Sequence, residues 1–95
     1  SGNTPLTTAA LFGNVRMVKL YLEAGGDVNT QTFQGHTALC HTATHNHVEV
    51  CKVLLEHGAR TDTKTCDGYT PLHIAALMQN YPICKILVAH KKVEI

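Results

Sequence analysis

Apolar residues fall at helical spacing in short bursts, and the bursts themselves return every 33 residues. Leu6-Ala9-Ala10 and Leu72-Ala75-Ala76 each mark one face of a short helix. Val18-Tyr21-Leu22, Cys51-Leu54-Leu55 and Cys84-Leu87-Val88 mark one face of a second. Gly2, Gly35 and Gly68 stand 33 apart, as do Thr4, Thr37 and Thr70, then Leu6, Leu39 and Leu72, then Ala10, Ala43 and Ala76. Lys19, Lys52 and Lys85 share one position, Leu20, Val53 and Ile86 another, and Val18, Cys51 and Cys84 a third. Identity or like character held in register over three units is the signature of a repeat architecture.

Polar and special residues punctuate each unit. Thr4-Pro5 and Thr70-Pro71 place a side-chain oxygen at a helix N-cap and proline at the first helical position, where its missing N–H costs nothing. The second unit keeps the cap, Thr37, followed by Ala38. The first helices are predicted to run to about Phe12, His45 and Met78, and the second ones to follow Gly13-Asn14, Asn46-His47 and Gln79-Asn80. Gly25 and Gly58 suit the left-handed closing position of a helix. Pro82 falls in a first turn, where proline is tolerated. The polar stretches 27–32 and 60–65 suit extended hairpin loops. One such helix pair cannot bury its own apolar face, whereas stacked pairs can. The expected fold is all-α: a helical solenoid of three stacked helix–turn–helix units with hairpin loops. It forms a single domain over 1–95, with repeats at about 1–32, 33–65 and 66–95.

Composition narrows the function classes. Ninety-five residues suffice for one domain, and 44% apolar content is ordinary for a folded chain. The formal charge is +1 with signs interspersed, which argues against the basic patch that nucleic acid or a membrane surface would require. No apolar run reaches membrane-spanning length, and no signal peptide opens the chain. Cys40, Cys51, Cys66 and Cys84 are scattered without a CxxC pair, and neither Asn3-Thr4-Pro5 nor Asn29-Thr30-Gln31 is a glycosylation acceptor. These features point to a reducing, intracellular location, cytoplasmic or nuclear.

Gly68-Tyr69-Thr70-Pro71-Leu72-His73-Ile74-Ala75-Ala76, with the Leu-Leu and Gly-Ala that follow in the second unit at Leu54-Leu55 and Gly58-Ala59, resembles the ankyrin repeat. The first unit has Thr7 for the histidine and Gly26 for the closing alanine; the second has Ala38, Cys40 and Thr42 for Pro, His and Ala. The resemblance covers the whole chain. It implies a protein–protein interaction module that binds a partner protein or peptide on a concave surface of hairpins and first helices. Carried over by position, that surface implies Asn3, Leu11 and Phe12 in the first unit. In the second it implies Phe33, Gln34, His36, Thr44 and His45, and in the third Cys66, Asp67, Tyr69, Leu77 and Met78. The set is rich in the aromatic and Met residues of interface cores. Leu11 and Leu77 have the plainer alternative of packing on a neighbouring first helix. Asn29, in Asp27-Val28-Asn29, resembles the hairpin asparagine that oxygen-dependent hydroxylases modify in this family, although Tyr21 stands where leucine is usual.

Chemistry-bearing motifs are few. His41 and His45 lie four apart on one helix, but Thr42 stands where a zinc protease needs glutamate, and no second ligand pair accompanies them. His73 is expected to hydrogen-bond within its turn, and His47 and His57 to sit at helix ends. Cys51 and Cys84 are expected on the buried stripe, too far apart across packed helices for a disulfide, and Cys66 is expected to be the most exposed thiol. Asp62, Asp67 and Gly68 do not make a calcium loop, because Lys64 and Cys66 replace oxygen ligands. No phosphate loop, nucleophile elbow or carboxylate pair is present. The expectation is a non-enzymatic protein with no metal and no cofactor. Neither end carries the polar outer face of a capping repeat, so flanking repeats of a longer chain, or partner chains, are expected to cover them. The competing expectation is a structural spacer within a longer array, with no ligand of its own.

Overall fold

Three threonines start three helices. Thr4 Oγ1 accepts from the Thr7 N–H at 3.1 Å while Thr7 Oγ1 accepts from the Thr4 N–H at 2.8 Å, a reciprocal capping box. Thr70 and His73 form the same box, with His73 Nδ1 accepting from the Thr70 N–H at 3.1 Å. In the middle unit Thr37 Oγ1 accepts from the Cys40 N–H and donates to Cys40 Sγ. Thr7 and His73 thus close the reciprocal box, Thr7 with its side chain fully buried, whereas Cys40 accepts only from the Thr37 hydroxyl.

The computed structural model describes residues 2–93, so Ser1, Glu94 and Ile95 of the expected domain lie outside the described residues. The helices are α1 Pro5–Leu11, α2 Val15–Glu23, α3 Ala38–His45, α4 Val48–Glu56, α5 Pro71–Leu77 and α6 Tyr81–Val93. Among the described residues there is no strand. Helices of seven to nine residues have almost no stability alone, so packing must hold them. The first helices, α1, α3 and α5, lie side by side; α2, α4 and α6 form a second layer against them.

The turn within each pair uses one left-handed residue: Gly13 at φ 70°, Asn46 at 58° and Gln79 at 59°. Glycine and asparagine accept this conformation readily, and glutamine is strained there. Between pairs the chain forms two hairpins, each numbered by the repeat it leads into: the second is closed by Thr32 N–H to His36 O at 2.9 Å and the third by Thr65 N–H to Tyr69 O at 2.8 Å. Gly35 turns the second hairpin at φ 81°, and a Cβ there would come within 3.0 Å of the Cys66 backbone nitrogen. Glycine is therefore required twice over, by conformation and by the closeness of the next hairpin.

The core runs between the layers through Leu6, Val18, Leu39, Cys51, Leu54 and Ile83. Burial pushes the Cys51 thiol up to about 11, against smaller opposing effects of Thr42 and Lys52. The expected buried stripe needs correcting in two places. Cys84 is half-buried and Val88 exposed, because at the equivalent positions of the first two repeats it is the following repeat that supplies the cover. Val50, Val53 and Ile83, outside the expected stripe, are buried. They occupy the opposite side of the second helices, facing the preceding repeat.

Tyr21 is half-buried for a local reason: its ring fills the space beside Gly26, where an added Cβ would overlap it. The second repeat has the smaller Leu54 at the tyrosine position and the larger Ala59 at the glycine position. Gly26 does not have a positive φ, so size alone sets this pairing.

Candidate functional site

The hairpin tips and the outer turns of α3 and α5 hold most of the residues expected to bind a partner. Phe33 and Gln34 lie at the second tip and Cys66 and Asp67 at the third. These tips are tied together: the Cys66 N–H donates to Gln34 O at 2.9 Å, and Cys66 Sγ–H to Phe33 O at 3.6 Å. Gln31 Nε2 braces the second hairpin by donating to Gly35 O at 3.0 Å. Lower down, Arg60 N–H donates to Asn29 Oδ1 at 2.8 Å, so the asparagine singled out for hydroxylation is half-buried with its side-chain oxygen already engaged.

On this braced backbone stand large side chains in water. Phe33 is 80% exposed, and Tyr69, Leu77 and Met78 are also exposed. The Phe33 ring rests over the Gly2 backbone, which leaves its other face outward. The Tyr69 ring meets His73 edge-on, with centroids 6.4 Å apart. Leu77 is exposed in the last repeat, whereas its counterparts Leu11 and Thr44, each followed by another repeat, are half-buried.

Imidazoles of the second repeat lie near one another in pairs. His36 on the hairpin sits 5.6 Å from His41 on α3, centroid to centroid. His45, at the end of α3, lies 6.0 Å from His47, centroid to centroid. Desolvation, then the nearby His36 and His45, pull His41 down to about 4, so its ring is neutral near pH 7. Its Nε2 is buried with no hydrogen-bond partner. Among the described residues no group of three or more His, Cys, Asp or Glu is placed to hold a metal ion.

Phe12 is placed apart from the rest. It lines a groove with Pro5, Thr8, Ala9, Asn14 and Met17 on the outer face of the first helix pair. Met17, Leu20 and Asn14 were not among the expected site residues. Their signal in the sequence was the repeat register itself, because Met17 and Leu20 share positions with the buried Val50 and Val53. Among the described residues no helix is long and apolar enough to cross a membrane.

Comparison with curated proteins gives no match. The family model for ankyrin repeats, in three copies, matches residues 6–95. That span includes all three threonine-capped helix pairs but for the first cap and Pro5, and the chain belongs to the ankyrin-repeat family.

Proposed function

We propose that the chain is a rigid recognition module that binds a partner protein or peptide across its second and third hairpins and the outer turns of α3 and α5. Ankyrin repeats are, as a class, protein–protein interaction modules on a non-catalytic fold. The contact residues are Phe33, Gln34 and His36, then His45, Asp67 and Tyr69, then Leu77 and Met78, with Phe12 at the margin.

The observation that carries this reading is Phe33. A phenylalanine 80% exposed on a hairpin held by inter-repeat hydrogen bonds leaves most of its ring unburied by the fold. The bracing means that little backbone ordering remains to oppose association. Asp67 is the lone acidic group among the contact residues, so the surface favours an apolar or aromatic segment over a strongly charged one. The small net charge gives no support to a nucleic-acid partner.

The test is capture from cell lysate by the immobilised chain, with the Phe33→Ala/Tyr69→Ala double variant as control. Proteins retained by the wild type and lost by the variant, at unchanged melting temperature, support the reading. Identical retention by both contradicts it, as does lost retention that tracks lost stability.

A further inference from the structure

The second and third hairpins are built with the same bonds on different neighbours. In the second, the Thr32 N–H donates to the His36 carbonyl at 2.9 Å, the His36 N–H to Thr32 Oγ1 at 3.2 Å and the Gly35 N–H to the Thr32 carbonyl at 2.9 Å. Thr65, Tyr69 and Gly68 repeat these bonds in the third, at 2.8, 3.2 and 2.9 Å. What differs is the helix position beneath. The His36 ring meets that of His41 on α3, 5.6 Å away between centroids. At the position of His41 the third repeat has Ile74, half-buried against the core, and the first has Thr8. Neither can take up a proton. The second repeat alone puts an imidazole there.

His41 is badly placed to carry charge. Its Nε2 is buried without a hydrogen-bond partner, and an imidazolium bears N–H on both nitrogens, so a charged ring would enclose a donor with no acceptor. The elements packed on α3 bring few charges. α1 has no titratable residue, and α5 has His73, whose Nδ1 accepts from the Thr70 N–H. α4 brings Glu49, Cys51, Lys52 and Glu56 with His47 at its cap, and the third hairpin brings Lys64, Cys66, Asp67 and Tyr69. The charges that act on His41 are those of His36 and His45, both of its own sign when protonated.

We propose that proton uptake by His41 releases the second hairpin from α3. Lifting His36 away uncovers the His41 ring, gives its Nε2 water as a partner and separates two like charges. Release also breaks the bond from the Cys66 N–H to the Gln34 carbonyl, because Gln34 moves with the hairpin. Phe33 and Gln34 stand on the moving tip, so acid withdraws part of the contact surface. That consequence rests on the function proposed above; the release itself does not. The latch lies in the middle repeat, with a helix pair packed on each side of it.

Amide hydrogen exchange of the chain alone, followed by NMR at pH 7.5 and pH 5, tests this without a partner. Rates are expressed as protection relative to an unstructured chain at the same pH. A ring that titrates at 6.5 when released and at about 4 when held shifts the release equilibrium about 30-fold between those two conditions. Protection of the Thr32, Gly35 and Cys66 amides in wild type is therefore expected to fall about 30-fold at pH 5, and to stay below that of Leu54 in the core of α4. His41→Ile keeps His36, installs the residue of the third repeat and should abolish the fall. His41→Thr, the residue of the first repeat, takes its place if the isoleucine variant fails to fold. A fall in wild type no larger than in the variant overturns the proposal. So does equal protection of Thr32 and Leu54 at pH 5, which would mean that the hairpin opens only when the whole array unfolds. Partner capture enters none of these outcomes, so they stand apart from those of the Phe33→Ala/Tyr69→Ala test.

Discussion

The Asn80 side-chain amide lies 2.6 Å from the Ala43 carbonyl oxygen, and it also donates to that of Thr44 at 3.3 Å. One side chain thus satisfies carbonyls at the end of α3 that the helix cannot satisfy itself, and it locks the third repeat onto the second. Asn80→Ala is expected to destabilise the chain by about 1–2 kcal/mol, the cost of half-buried acceptors left unpaired. At this length that is a fall of roughly 4–8 °C in melting temperature for each kcal/mol. A thermal melt checks it, and an unchanged midpoint would show that the bond adds nothing.

Tyr21 and Gly26 are matched in size, as Leu54 and Ala59 are in the next repeat. Gly26→Ala alone is expected to destabilise by about 1–3 kcal/mol, the usual cost of overpacking. Tyr21→Leu added to Gly26→Ala reproduces the second repeat's pairing and should recover most of that loss. Urea titrations of the single and double variants measure the coupling directly. Additive losses would mean that the two residues do not compete for one space.

His41 makes stability depend on pH. Its folded value of about 4 lies below the ordinary 6.5, so the folded state holds fewer protons than the unfolded chain between these values. The stability it contributes is fully present above pH 6.5 and is lost as pH falls from 6.5 towards 4. The urea midpoint is therefore expected to drop between pH 7.5 and pH 5. His41→Ile, which installs the residue found at the same position in the third repeat, should flatten that drop. An equal drop in both proteins would move the effect to the other histidines.

The period, the six helices and their boundaries, except the end of α6, which runs on to Val93 through Lys91-Lys92 where the repeat has its closing Gly-Ala, were legible because their signals are local. A threonine cap, a proline at the first position and a left-handed turn residue act within a few residues of chain. What was not legible depends on neighbours one repeat away. Met17 and Leu20 have the same character as Val50 and Val53, and only the presence of a preceding repeat decides which are wet. Cys84 and Val88 left the expected core for the same reason at the other end. Asn80 and His47 read as turn residues, but their bonds cross to another repeat. Within the candidate site, the tip residues followed from register, whereas the tie between Cys66 and Gln34 that makes the tips rigid did not.

Recognition by the residues that the repeat leaves unspecified is most directly tested by one paired measurement. Affinity for the captured partner and melting temperature are measured together for wild type, Phe33→Ala and Tyr69→Ala. Each substitution is expected to weaken binding about 30-fold, the effect of losing about 2 kcal/mol of an aromatic anchor. Melting should stay within about 0.5 kcal/mol of wild type in stability, as for surface changes away from the core. Unchanged affinity in both variants would contradict recognition through the hairpin tips.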